Sequence, residues 1–352
     1  MWTPPPCADM LRPLQRSHRA AVMAAATATA FAAASGAWAA TPLAVTQTAA
    51  GVYVHIGEVE DWAPASRGDV ANLGFVVGSR CVAVIDTGGT PAVGQALRAA
   101  IEQATTLPVC YVINTHAHPD HMLGNEAFAT PGAAAPTFVA SARLPGTLAA
   151  RAPYYLNALR RDFALQPSPA TIVYPTLKVE STVELDLGDR VLQLRAWPTA
   201  HTDNDLTVLD RRTRTLFTAD LLFVQHLPVL DGSLRGWMSA MAELRRLDVA
   251  TVVPGHGAVG TDGTAMMSAQ ADYLGGLLSE TRQAIRKGWT IQQAIDRIAV
   301  PAAPGWRLTE RFHRRNVTAA FAELEWEDDA AAASTLPATG GSSATPGPRP
   351  VN

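Results

Sequence analysis

The residues best suited to chemistry cluster in Asn114-Thr115-His116-Ala117-His118-Pro119-Asp120-His121, where three histidines and a carboxylate fall within six positions. Imidazole and carboxylate are the ligands that suit Zn²⁺ in a catalytic site. In an extended segment, His-x-His projects both imidazoles to one side. Pro119 can then open a helix that turns Asp120 and His121 back toward the same space. Three later positions extend the set: His201 in Ala200-His201-Thr202-Asp203-Asn204-Asp205, Asp220 after Leu216-Phe217-Thr218-Ala219, and His256 in Pro254-Gly255-His256-Gly257. Taken alone, Asp220 is as consistent with a turn carboxylate as with a ligand. The glycines beside His256 allow a sharp turn and a close approach to a metal.

Each of these positions follows a segment that reads as a strand. Val52 to Ile56, Leu73 to Val77, Cys81 to Ile85 and Val109 to Ile113 are rich in β-branched and aromatic residues. Pro91 opens a helical pattern to about Ala104, so β-α-β order implies a parallel crossover. Further strands are expected at Thr182 to Leu185, Val191 to Trp197, Leu206 to Leu209, Thr215 to Thr218 and Thr251 to Val253, with a helix from about Thr147 to Ala164. Ends of parallel strands converge on a common edge, which gathers the seven candidates into one site. From Thr264 onward, Met266, Met267, Tyr273, Leu274, Leu277 and Leu278 recur at helical spacing, and two more helical patterns follow at Ile291 to Ile298 and Leu308 to Leu324. This apolar stripe reads as core.

Composition narrows the function classes. The 352 residues are 48% hydrophobic and 17% charged, and 28 basic against 31 acidic residues give a net charge of −3. That balance lacks the basic excess of a nucleic-acid binder. Arg12, Arg16 and Arg19 precede an Ala-rich run closed by Ala37-Trp38-Ala39, so residues 1–39 read as a cleaved signal peptide, and no stable membrane anchor is expected. The mature protein is then expected to be periplasmic or secreted. It divides into a catalytic domain over 40–262, a helical extension over 263–329 and a disordered tail over 330–352, where Ala, Ser, Thr, Pro and Gly leave little to bury. Beyond the leader only Cys81 and Cys110 remain, too few for a disulfide scaffold. Separate buried thiols are expected, although neighbouring strands would permit a bridge.

From Gly51 to Gly260 the chain resembles the metallo-β-lactamase superfamily. The resemblance implies an α/β fold, an αββα sandwich of two mixed sheets, with the additional C-terminal helices outside it. It also implies two Zn²⁺ ions: one held by His116, His118 and His201, a second by Asp120, His121 and His256, with Asp220 bridging. Asp86 in Ile85-Asp86-Thr87-Gly88-Gly89 matches an early family signature that supports the site loops without binding metal. The runs His201 to Leu206, Thr218 to Phe223 and Leu230 to Trp237 look like the quinoprotein relay system zinc metallohydrolases. Those are exported proteins associated with periplasmic quinoprotein dehydrogenases, which makes such a dehydrogenase an expected partner. The Asp203-Asn204 pair is similar to class B1 β-lactamases, but Asp220 stands where those enzymes place cysteine, and no lysine lies nearby to hold a lactam carboxylate.

The implied chemistry is hydrolysis. Two zinc ions roughly 3.5 to 4 Å apart lower the pKa of a bridging water toward about 7. The resulting hydroxide would attack a small-molecule ester, thioester, lactone or amide, with Asp120 as the catalytic residue that orients it and takes its proton. No serine-hydrolase motif is present. Alternatives are a β-lactamase, a mononuclear iron oxygenase using His116, His118 and an acid, and a non-catalytic zinc-binding partner of a dehydrogenase relay. Trp62 and Arg67, in a loop between early strands, and His226, Arg235 and Trp237, on the opposite rim, are the substrate candidates. Each could equally be an ordinary surface or packing residue. His55 and His313 read as structural.

Overall fold

The computed structural model describes residues 40–129, 132, 135–300 and 305–327. The expected signal peptide over 1–39 and tail over 330–352 lie outside the described residues. The first sheet contains β1 (Thr46–Ala49), β2 (Val52–His55), β3 (Leu73–Val77), β4 (Val82–Ile85), β5 (Val109–Ile113), β6 (Thr137–Ser141) and β7 (Leu177–Val179), in that spatial order. Pairing is antiparallel from β1 to β4 and parallel from β4 to β7. Each of the three parallel pairs needs a crossover. The two long helical ones are α1 (Pro91–Ala104), capped by the Thr90 side chain with Pro91 at its first turn, and α3 (Leu144–Arg161); the segment between β5 and β6 carries a short helix, Pro119–Met122.

The second sheet contains β8 (Thr182–Asp186), β9 (Val191–Ala196), β10 (Leu206–Asp210), β11 (Thr215–Phe223) and β12 (Thr251–His256). It is antiparallel except for the last pair, β11 and β12, whose crossover is α4 (Leu234–Leu244). Both sheets are therefore mixed.

Three apolar layers hold the molecule. Between the sheets, Val52, Val76, Ile85 and Ile113 meet Leu192, Leu194, Val208 and Phe217. On one outer face α1 lays Val93, Leu97 and Ile101 against Phe75, Val84 and Val112. On the other, Trp237 and Met241 of α4, Tyr273, Leu274 and Leu277 of α5 (Gly263–Arg286) and Phe312 and Phe321 of α7 (Thr309–Leu324) cover Leu216 and Leu222. The Met/Leu stripe of α5 is core, as its spacing predicts. A short α6 (Ile291–Arg297) joins α5 to α7. This is an αββα sandwich with C-terminal helices on its second outer face. No helix among the described residues is long and apolar enough to cross a membrane.

Four elements were not legible in the sequence: β1, β6, β7 and α4. The strands are three to five residues long and, unlike the equally short β2 and β4, each carries at most one Val or Ile. Strand β11 runs beyond Thr218 to Phe223 because its register shifts twice against β12, around Ala219. Cys81 and Cys110 form a disulfide across a Cα separation of 5.7 Å, which corrects the expectation of two separate thiols. The reason is topological: α1 returns the chain so that β5 lies beside β4, and the cysteines meet at the start of that pair.

Candidate metal centre

The site lies at one edge of the sandwich, where β5, β11 and β12 end. After β5 the chain runs extended through His116 to His118, which caps the four-residue α2 (Pro119–Met122) and lets Asp120 and His121 turn inward. His201 follows β9, Asp220 sits in the irregular part of β11, and His256 closes β12. Two glycine properties matter here. A Cβ on Gly255 would lie 1.9 Å from Asp220 Oδ1, and Gly257 has φ +88°, so the chain can press against the carboxylate and leave the strand at once.

Two adjoining groups result. His116, His118, His201 and Asp220 form one, and Asp120, His121 and His256 the other, with the ligand atoms of each group within 4.8 Å of one another. His118 Nδ1 is 3.1 Å from His201 Nε2. Asp220 Oδ2 is 3.6 Å from His116 Nε2, 3.4 Å from His201 Nε2 and 3.5 Å from His256 Nε2. Asp220 Oδ1 is 3.0 Å from His121 Nε2, and Asp120 Oδ2 is 3.4 Å from His256 Nε2. Four ligands roughly 2.0–2.1 Å from a tetrahedral zinc are about 3.3 Å apart, close to these separations. Asp220 faces both groups, Oδ2 toward His116, His201 and His256 and Oδ1 toward His121.

The outer nitrogens are all committed. His121 Nδ1–H donates to Asp86 at 2.8 Å, His201 Nδ1–H to the Val229 carbonyl at 2.6 Å, and His256 Nδ1–H to the Val70 carbonyl at 2.9 Å. His118 Nε2–H donates to Asp231 at 2.9 Å. His116 Nδ1 reaches Thr115 Oγ1 at 3.1 Å, and that hydroxyl donates to Asp86 at 2.7 Å. Each ring therefore turns its remaining nitrogen inward. Such outer-shell acceptors are what fix the tautomer of metal-binding imidazoles. His116 Nε2 is buried with no hydrogen-bond partner, a cost that a cation would relieve. The residues present fit a pair of divalent ions.

Charge follows the same division. Burial, then the nearby His121 charge, hold His116 well below its ordinary value, and burial brings His201 down to about 3. Burial opposes charge on His256 too, but the Asp220 and Asp120 carboxylates outweigh it and push this imidazole up to about 9. Burial likewise raises Asp120, yet His121 and His256 bring it down to about 2.

A cavity of about 630 Å³ opens over the centre. Asp120, Asp220, His118 and His256 form its floor, Trp62, Tyr154, Phe223 and Phe312 its apolar wall, and Arg151, Arg311 and Arg315 its charged wall. The structure brings Trp62 and His226 of the five substrate candidates to this cavity. Trp62 donates to the Gly89 carbonyl at 3.0 Å, and His226 stacks 4.9 Å from His256 with its Nδ1–H on the Leu227 carbonyl. Arg67, exposed with φ 54° after a short 3₁₀ turn, does not border it. Arg235 points to Glu323 of α7 and to Glu327 just beyond that helix. Trp237 is fully buried, donates to the Leu221 carbonyl at 2.9 Å and backs His201 at 5.2 Å, so its role is packing behind a ligand.

Sequence reasoning missed the contributions of α3 and α7. The available signal was Arg311 and Arg315 at i,i+4 spacing in an amphipathic helix. It also missed Asn72, whose side-chain amide donates to the Pro254 and Gly257 carbonyls and pins the turn that carries His256. His55 and His313 are structural: His55 bonds Asp69 and the Ala44 carbonyl, and His313 lies between the Tyr273 hydroxyl and the Ile298 carbonyl.

An αββα sandwich carrying this His/Asp centre on its edge defines a metal-dependent hydrolase class. A family model described as Metallo-beta-lactamase superfamily matches residues 66–256, and the chain belongs to that superfamily. No curated protein sequence matches it significantly. Among solved structures, a metallo-beta-lactamase from Pontibacter korlensis is similar at 20% identity and a TM-score of 0.53, over 66% of this chain and 99% of that one. TMB-1 is similar at 17% identity and 0.51, over 66% and 97%. The stereoselective inverting sec-alkylsulfatase Pisa1 from Pseudomonas sp. gives 16% and 0.62, over 84% of this chain and 52% of that one. At these identities the likeness is one of fold.

Proposed function

We propose that this protein is a dinuclear zinc hydrolase of a small-molecule ester, thioester, lactone or amide. The observation that carries the reading is the pair of adjoining His/Asp groups, buried apart from an opening into the cavity. His116, His118, His201 and Asp220 would hold one ion, and Asp120, His121 and His256, with the second Asp220 oxygen, the other. Bound there, two zinc ions supply a water activated at neutral pH and a Lewis acid for the substrate carbonyl. Asp120, ionised and at the cavity floor, orients that water and receives its proton. Trp62, Tyr154 and Phe312 offer apolar surface to the substrate, and His226 keeps Nε2 as its remaining polar atom. Having an aspartate at position 220, rather than a thiolate, sets the donor set apart from class B1 β-lactamases.

Export to the periplasm is part of the proposal, supported by the leader-like sequence of residues 1–39 and by the oxidised Cys81–Cys110 pair. Association with a quinoprotein dehydrogenase rests on the runs His201 to Leu206, Thr218 to Phe223 and Leu230 to Trp237 alone. Pull-down of a quinoprotein from periplasmic extract would support it.

The deciding experiment is metal analysis with an ester, thioester, lactone and amide panel, for wild type and His118→Ala. Two equivalents of zinc and turnover of one panel class are expected in wild type, with turnover reduced on the order of 100-fold in the variant. A wild-type protein that takes up no metal under zinc supplementation, or that is fully loaded and inert toward every class, sinks the proposal.

A further inference from the structure

The arginines of the cavity wall are unevenly compensated. Arg311 faces Asp61 at 2.6 Å and Arg161 faces Asp162 at 2.6 Å, one base to one acid. Glu60, the other acid at the wall, is taken by Arg307. Arg151 of α3 and Arg315 of α7 instead share a single carboxylate, Asp231, at 2.6 and 3.3 Å. Both Asp231 oxygens are thereby engaged, one of them also by His118. Two guanidiniums against one carboxylate leave one positive charge.

Arg151 and Arg315 both border the cavity and Asp231 does not; Asp231 lies on a neighbouring cleft that Arg151 also lines. The two arginine side chains are 39% and 51% exposed. Each guanidinium has five N–H donors in a rigid fork, of which Asp231 takes few. Tyr154 and Phe312, from the same two helices, supply apolar faces at the cavity wall. Two zinc ions would more than neutralise Asp120 and Asp220, so the floor would not repel an anion.

We propose that Arg151 and Arg315 recognise a carboxylate on the substrate, which makes the hydrolysed molecule a monoanionic acyl compound. This rests on the hydrolase reading above. Residue 315 lies beyond the region matched by the family model, 66–256. Arg315 is therefore the half of the site that the C-terminal helix adds to Arg151 of the family core.

The test compares 4-nitrophenyl acetate with mono-4-nitrophenyl succinate, using the full-length, zinc-loaded protein and its Arg315→Gln variant. The anionic ester should lose roughly tenfold in kcat/KM, through KM, and the neutral ester at least fivefold less. Binding of benzoate and of benzamide, followed by ligand-observed NMR on the same proteins, gives a readout independent of turnover. Benzoate should bind the variant roughly tenfold more weakly and regain affinity in Arg315→Lys, which keeps the charge, while benzamide is indifferent. Equal losses for both esters, or benzoate binding unaffected by Arg315, overturns the carboxylate site. Absence of turnover with Arg315-dependent benzoate binding would instead count against the hydrolase reading alone.

Discussion

At the scale of residues, the metal centre is built from the outside. Asp86 alone accepts from the Thr115 amide, the Thr115 hydroxyl and His121, and it holds left-handed backbone at φ 56° to do so. Asp231 does the corresponding work for His118. Asp231→Ala should therefore weaken zinc affinity about 10- to 100-fold without removing a ligand, measured by competition with a chromophoric chelator. Unchanged affinity would show that His118 is oriented by packing. Metal uptake should also depend on pH in a stated direction. Zinc must displace the proton that Asp220 and Asp120 hold on His256, an imidazole pushed up to about 9, so uptake by the metal-free protein should strengthen as pH rises toward that value. A flat profile between pH 6 and 9 would contradict it. All seven candidate ligands were legible in the sequence because each falls at or just beyond the end of a segment that reads as a strand, although β11 continues through Asp220 and His256 is the last residue of β12. Arg235 and Trp237 do not reach the cavity because the end of the Phe223 to Trp237 stretch, read as irregular rim, is helical: Ser233 caps a helix that turns Trp237 into the core and Arg235 toward Glu323 of α7.

At the scale of elements, the C-terminal helices brace the segments that carry the ligands. Asn316 of α7, fully buried, accepts from the Leu230 amide at 2.9 Å and donates to the Pro228 carbonyl at 2.6 Å. Between those two contacts lies Val229, whose carbonyl orients His201, and one residue beyond lies Asp231, which orients His118. Gln270 of α5 accepts from the Phe223 amide and donates to the Leu221 carbonyl, holding the end of β11 just past Asp220. Asn316→Ala leaves buried backbone groups unpaired and should cost roughly 1–3 kcal/mol by denaturant titration. It should also weaken zinc uptake at the His116, His118 and His201 group more than at the Asp120, His121 and His256 group. Equal weakening at both positions would mean that α7 acts through global stability only. The amphipathic pattern of α7 was readable from Leu308 to Leu324. Its docking face was not, because one helix's periodicity shows which side is apolar but not which segment will cover it.

At the scale of the whole molecule, long-range polar ties and one covalent tie reinforce the apolar layers. Arg190, in the turn before β9, donates to the Gly51 carbonyl at 3.1 Å, the Val77 carbonyl at 2.9 Å and the Ala50 carbonyl, while Asp210 lies 3.3 Å from its Nε. It thus fastens the second sheet to the β1–β2 end of the first. Both partners are nearly inaccessible, at 2% and 0%. Arg190→Met should be costly, about 3–5 kcal/mol, because it leaves the buried Asp210 charge uncompensated and takes a donor from three carbonyls. A second tie, His55–Asp69, gives stability a pH dependence. Burial disfavours charge on His55, but its hydrogen bond and attraction to Asp69, with the Ala44 carbonyl, outweigh burial and raise its pKa above the ordinary 6.5. A raised imidazole stabilises the fold fully below the unfolded value and loses that contribution as pH climbs through the folded one. Wild type should therefore lose part of its stability above pH 6.5, and His55→Gln should lack that component; parallel profiles would refute the assignment. The Cys81–Cys110 disulfide closes a sequence separation of 29 residues, for which loop-closure entropy gives about 3–4 kcal/mol. The loop it closes contains α1 and β4, which is itself paired with β3 and β5, all within the first sheet's own half, whereas Arg190 joins the two sheets. Reduction should consequently lower the denaturation midpoint while the metal centre still loads zinc, and Arg190→Met should lower both. Loss of zinc binding on reduction would show instead that the start of β5 is not independently held in register by β4 and β6.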